Sequence, residues 1–295
     1  MTSYGIPIPE SAKRVSSLRA QAIYGRITLA NIVHRLVKRR ARHSDLVATD
    51  YDQGEWMQQR QARRWEQVDD ALLYADKAWL DEPAVVQIEG ALWQMPGTDY
   101  YAYRRRMLHA ILAKYDQETD TLYELGSGTG ANLVSLATSN RYARLVGLEL
   151  SATGRDVARE VVDHFGFNDI IRIGQIDLLD ADSPGFSELR GATCFTHYCL
   201  EQLPDYTERV FRNLISAGVS RVIMLEPSYE LLSKFSLRDQ ASRTYVWRQD
   251  YQRTLVSTAA RLRDEGLVRI IATEQLRFVS SPRNPPTLLV WEPVG

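Results

Sequence analysis

The chain has few of the residues that mark a secreted or metal-dependent protein. Among its 295 residues are two cysteines and five histidines. Two thiols are too few for a disulfide framework, and Cys194 and Cys199 stand within or just after a stretch read as a strand, so packing is their expected role. No cysteine–histidine grouping has metal-ligand spacing, and no metal is expected. No stretch approaches the ~18 apolar residues of a membrane-spanning helix. The N-terminus has no apolar core behind its charges, so no signal peptide is read and a cytoplasmic location is expected. A formal net charge of −1 gives no overall reason to expect nucleic acid as a partner. Internal repeats and low-complexity segments are absent from the sequence.

What is present concentrates between residues 121 and 227. In Thr121-Leu122-Tyr123-Glu124-Leu125-Gly126-Ser127-Gly128-Thr129-Gly130 a short apolar run carries an acid and then turns into a glycine loop. Glycines there let the backbone turn sharply and approach a ligand closely. Their spacing is Gly-x-Gly-x-Gly, whereas the dinucleotide fingerprint is Gly-x-Gly-x-x-Gly. Glu124, two residues before the first glycine, suits a ligand ammonium better than a pyrophosphate. Residues 143–150 read as a second buried strand ending in Glu149 and Leu150, about where a doubly wound sheet places the acid that holds ribose hydroxyls. A helix follows from Ala152 to Phe165, with Val157, Ala158, Val161, Val162 and Phe165 at helical spacing. Further strands are read at 170–173, before Asp177-Leu178, at 192–196, before His197-Tyr198-Cys199-Leu200-Glu201-Gln202, and at 220–225, before Glu226. Polar residues thus follow each strand at its carboxyl end, where ligands bind in open parallel sheets.

Over residues 100–295 this ordered set resembles the class I S-adenosylmethionine-dependent methyltransferase family. The Glu-x-Gly-x-Gly-x-Gly loop matches the family's first motif, Glu149 the acid ending the second strand, and Asp177-Leu178 the pair beside the adenine. Gln202 stands where the family often has histidine. The resemblance implies an α/β fold with a Rossmann-like seven-stranded mixed sheet, order 3-2-1-4-5-7-6, whose last two strands form an antiparallel hairpin. It also implies S-adenosyl-L-methionine as cofactor. Gly126, Gly128 and Gly130 would face its methionine part, Glu124 the ammonium, Glu149 and Leu150 the ribose side, and Asp177 and Leu178 the adenine. Simple loop capping is the alternative for Glu149 and Asp177.

On the acceptor side, His197 stands at the mouth of the expected cleft and could take a hydroxyl proton, with Glu226 as a second candidate. Tyr101, Tyr198 and Glu201 are the candidate substrate contacts. A structural role remains the alternative for the histidine, and packing for the tyrosines around Tyr101. Asn284-Pro285-Pro286 resembles part of an amino-methyltransferase motif but follows the sixth strand and is read as a turn. A Pro-Cys nucleophile is absent.

Residues 1–99 are read as a separate helical region, a lid or dimerisation element, before a methyltransferase domain at 100–295. Between Ser11 and Ser44 the sequence holds Lys13, Arg14, Arg19, Arg26, Arg35, Lys38, Arg39, Arg40 and Arg42 and no acid. Val15, Leu18, Ala22, Leu29, Ile32, Val33 and Leu36 lie among them at helical spacing. Such a helix covers the domain, pairs two subunits, or meets a polyanion or anionic membrane. Residues 45–99 read as further helices anchored by Trp56, Trp65, Trp79 and Trp93. Residues 228–266 hold two helical stretches, the second from about Tyr245 to Glu265. The expected activity is methylation of a small molecule, at oxygen of a secondary metabolite or sugar, with a homodimer left open. An RNA or protein methyltransferase and a noncatalytic cofactor-binding scaffold are the alternatives.

Overall fold

The buried runs between the glycine loop and the C-terminus assemble into one sheet. The computed structural model describes residues 4–37, 54, 56–79, 82–203, 206–280 and 283–294. Lys38, Arg39, Arg40 and Arg42 of the basic segment, and residues 45–53 of the expected helices, lie outside them.

Seven strands are hydrogen-bonded in the order β6-β5-β4-β7-β8-β10-β9. They are β4 (Thr121–Leu125), β5 (Arg144–Glu149), β6 (Ile171–Gln175), β7 (Thr193–His197), β8 (Arg221–Pro227), β9 (Val268–Gln275) and β10 (Pro286–Pro293). β4 to β8 pair in parallel, and β10 runs antiparallel to both β8 and β9. Counted from β4, this is the expected order 3-2-1-4-5-7-6. Parallel strands covered on both faces need apolar residues at almost every position. β7 and β8 meet that condition: Cys194, Phe195, Val222, Ile223, Met224 and Leu225 are all fully buried.

Helices fill both faces. α4 (Gly97–Tyr115) leads into β4, α5 (Ala131–Ala137) follows the glycine loop, and α6 (Ala152–His164) follows β5. Ser151 caps α6 by accepting the Gly154 N–H, one of the donors a helix start leaves free. α7 (Thr207–Ala217) follows β7, and α8 (Leu237–Gln249) and α9 (Leu255–Asp264) follow β8. The expected helix from about Tyr245 is interrupted because Asp250 takes a left-handed conformation, φ 55°, and its N–H caps the Val246 and Trp247 carbonyls.

The N-terminal third departs from an all-helical reading. α1 (Ser17–Val37), α2 (Trp56–Ala62) and α3 (Ala71–Ala75) are helices, but β2 (Pro83–Ile88) and β3 (Ala91–Pro96) form a hairpin. β1 (Lys13–Arg14) adds to its β3 edge. Val85, Val86 and Ile88 favour strand over helix. Glu89 and Gly90 both take positive φ, 50° and 75°, as a two-residue hairpin turn of this hand requires. Gln87 bridges to Val279, and one apolar cluster joins Trp65, Tyr74, Val86 and Met95 to Tyr103, Leu122 and Val290. The N-terminal third therefore shares a core with the large sheet. Among the described residues no helix is long and apolar enough to cross a membrane.

Candidate active site

A cavity of about 1020 Å³ opens over the carboxyl ends of β4, β5 and β7. Its floor is the loop Gly126–Thr129, entered from β4, and its walls include Glu149, Leu150, Asp177, Leu178, His197, Tyr198 and Glu201. Eight of the thirteen residues singled out from the sequence are these seven and Glu124; with Gly126 and Gly128, ten of them converge on one cleft.

Glu124 is the acid at the cleft floor. It is 1% exposed, and its Oε1 accepts Asn132 Nδ2 at 2.6 Å. Its Oε2 is buried with no hydrogen-bond partner. A carboxylate desolvated in this way favours its protonated form, and burial pushes the Glu124 pKa up to about 8. An orphaned buried oxygen is costly unless a ligand completes it. The Arg104 guanidinium enters the same cleft from α4 and forms no ion pair with an acid among the described residues. A carboxylate oxygen without a partner and a guanidinium without an acid partner, facing one cavity, suit the ammonium and carboxylate of an α-amino acid end.

Glu149 holds the glycine loop in place. Its Oε2 accepts the Gly128 N–H and its Oε1 the Ser151 N–H, each at 2.8 Å. Asp177 Oδ1 accepts the Leu179 N–H at 2.9 Å, and Ile176, Leu178 and the half-exposed Leu150 give this end of the cleft an apolar lining. Loop capping by Glu149 and Asp177 is therefore present, and both residues still border the cavity. A slot with apolar walls and a carboxyl at its rim fits a nucleoside. The glycines divide their work. Gly128 faces the ring of Trp56, to which an added Cβ would approach within 3.1 Å. A Cβ on Gly126 would overlap the Cys199 sulfur, and Gly130, outside the cavity lining, starts α5 and packs on Ala158 of α6.

His197 is buried among donors. Asn132 Nδ2 lies 3.2 Å from its Nδ1, and Arg104 Nη2 lies 3.3 Å from each ring nitrogen. Burial first, and the adjacent Arg104 charge second, hold its pKa well below the ordinary value, so the ring is neutral. Tyr198, at φ 58°, donates its hydroxyl to the Asn284 carbonyl at 2.9 Å, and Asn284 Nδ2 donates to Glu201 at 2.6 Å. Read from the sequence as a turn, Asn284-Pro285-Pro286 instead runs into β10, which Pro286 opens, and Asn284 braces two residues of the cleft wall.

Two sequence assignments are corrected. Glu226 does not line the cleft: it is fully buried beneath it, and its carboxylate accepts the N–H groups of Cys199 and Leu200 at 3.0 Å. Its reach is spent on shaping the loop after β7. Tyr101 lines a small side cavity with Arg104, Arg105 and His197, behind the main cleft. Arg104 takes the position expected of it, three residues further along the same helix face. Asn132, Arg104 and Trp56 were missed as site residues. In Tyr100–Arg106 the tyrosines dominate the sequence pattern, and only the tertiary fold shows which of its arginines turns inward.

No family model matches the chain, and no curated protein matches its sequence. Solved structures do match in fold. The geranyl diphosphate C-methyltransferase of Streptomyces coelicolor A3(2), in complex with Mg2+, geranyl diphosphate and S-adenosyl-L-homocysteine, is 14% identical over 79% of this chain and 96% of that one, with a TM-score of 0.51. The [4+2]-cyclase SpnF is 13% identical over 76% of this chain and 93% of that one, TM-score 0.52. The pyocyanin biosynthetic protein PhzM is 15% identical over 67% of this chain and 57% of that one, TM-score 0.50. Its strand order is the one the sequence resemblance implies, and the chain has the fold of the class I S-adenosylmethionine-dependent methyltransferases.

Proposed function

We propose that the chain binds S-adenosylmethionine in this cleft and transfers its methyl group to a small-molecule acceptor. The observation that carries the reading is the unpartnered Glu124 Oε2 in one cleft with Arg104, whose guanidinium has no acid partner among the described residues, at the end of a glycine loop. Glu124 would hold the ligand ammonium, Arg104 its carboxylate, Glu149 the ribose hydroxyls, and Asp177 with Leu178 the adenine. The cofactor would supply a methyl group already activated on a sulfonium.

What the chain then has to do is align an acceptor with that methyl. The cavity has room for a second molecule beside a nucleoside, and a wall of Trp56, Trp65, Tyr74 and Tyr251 suits a flat or apolar one. Transfer to oxygen of a secondary metabolite or sugar is the finer reading, supported by a neutral imidazole at the acceptor side. A neutral imidazole at this position can orient a hydroxyl or take its proton. α2, whose Trp56 leans over the glycine loop, acts as part of a lid. The fold alone does not decide the reaction, since one neighbour is described as a cyclase.

Calorimetric titration with S-adenosylmethionine, S-adenosylhomocysteine and NAD tests the reading. Saturable binding of the two sulfur ligands and not of NAD supports it, and binding of none overturns it in favour of a scaffold. Methyl release onto a panel of hydroxylated acceptors then tests the chemistry. Neutralising Arg39, Arg40 and Arg42 leaves that activity intact, whereas its collapse favours an RNA or protein acceptor.

A further inference from the structure

α1 is apolar on two opposite faces, and the fold covers one of them. Tyr24 and Asn31 are buried, and Ala20, Ile23 and Ile27 pack with Leu92, Val85 and Ala241. Asn31 Nδ2 reaches the Ala241 carbonyl and Arg35 reaches Asp250, so α1 lies parallel to α8. The other face carries Leu18, Ala22, Leu29, Val33 and Leu36. Steps of four, seven, four and three residues keep them on one stripe. Leu18 is 81% exposed and Leu36 71%, with Ile32 and Val37 exposed beside the stripe. Single exposed apolar residues are ordinary, but a contiguous stripe marks an interaction surface.

Two further observations say what covers it. α1 contains no Asp or Glu. Arg19 and Arg26, both exposed, border the stripe along one side and form no ion pair with an acid among the described residues. In addition, Phe235 is 98% exposed. It stands just before α8, and the parallel arrangement puts it at the end of α1 that carries Leu18. A second copy of the helix laid parallel would set like charges against Arg19 and Arg26. An apolar stripe bordered by cations that have no acid partner fits a surface that is anionic outside and hydrocarbon beneath.

We propose that α1, with Phe235, docks the protein on an anionic lipid surface, lying in the interfacial plane without crossing the bilayer. The inference is independent of the cofactor reading, because none of these residues lines the cleft.

Flotation of the full chain with phosphatidylcholine vesicles, with and without phosphatidylglycerol, tests it. The expected result is binding to the phosphatidylglycerol vesicles alone, weakened by salt. The triple variant Leu29→Glu, Val33→Glu, Leu36→Glu and the pair Arg19→Glu, Arg26→Glu should each lower vesicle partition roughly tenfold or more. Phe235→Ala gives a smaller loss in the same direction. All of these side chains point outward, and an unchanged circular dichroism spectrum and melting temperature show that the variants fold. Absence of binding, or binding indifferent to the triple variant, overturns the proposal. So does a dimer that light scattering shows the triple variant to dissociate, since the occupant is then a second copy. Binding of a homopolymeric RNA that the arginine pair abolishes and the triple variant spares overturns it equally.

Discussion

Arg104 Nη2 lies 3.3 Å from both ring nitrogens of His197. A fixed guanidinium thus faces a neutral imidazole, and Asn132 links that imidazole to the buried carboxyl of Glu124. This arrangement makes the charge state of the site depend on what fills it.

Replacing Arg104 by Gln removes the cation beside His197. Burial is the larger cause of the depressed histidine pKa and remains, so the ring should titrate higher but still below its ordinary range. Nuclear magnetic resonance of the His197 ring protons reads this directly. The same variant should weaken S-adenosylmethionine binding roughly 10- to 100-fold, the worth of one charged hydrogen bond. His197→Ala should instead lower turnover and leave cofactor affinity nearly unchanged.

Glu124, with a pKa of about 8, is mostly protonated near neutral pH before a ligand arrives. An incoming ammonium favours the carboxylate, so binding should release close to one proton per site at about pH 7. Calorimetry in buffers of different ionisation enthalpy measures that release. Glu124→Gln should abolish it and weaken binding, and proton release that survives the substitution would assign it to another group.

The same shift acts on the fold. Glu124 and Glu226 titrate at about 8 and about 7 in the folded chain, both raised first by burial from an ordinary 4.5. Between those values the folded chain binds more protons than the unfolded one, so their contribution to stability falls as pH rises. His109 and His197 are lowered by burial from 6.5 and act oppositely up to that pH. The ligand-free melting temperature should therefore decline from about pH 6.5 to about pH 8. Glu124→Gln should flatten the decline in scanning calorimetry, and saturating cofactor should oppose it.

Gly126 and Gly128 should fail in different ways. Gly126 has φ 74° and packs on Cys199, so Gly126→Ala should cost about 1–3 kcal/mol of stability, partly recovered by Cys199→Gly. Gly128 has φ 52° and faces Trp56 at the cavity, so Gly128→Val should carry a strain cost of at least the same order and, in the chain that remains folded, also lose cofactor binding. Calorimetry below the melting temperature separates the two variants.

Sequence alone determined the large sheet, because covered parallel strands need long apolar runs and their carboxyl ends need polar residues. The glycine loop, Glu124, Glu149 and Asp177 were legible for that reason. The β2–β3 hairpin was not, since Val85, Val86 and Ile88 sit among tryptophans that also suit a helix, and pairing is a long-range property. Tertiary structure alone decided that Arg104, among three consecutive arginines, turns into the cleft, and that Glu226 goes beneath it. It also decided which of the two apolar faces of α1 is covered. Those choices depend on which neighbours pack where, and spacing along the chain carries no record of them.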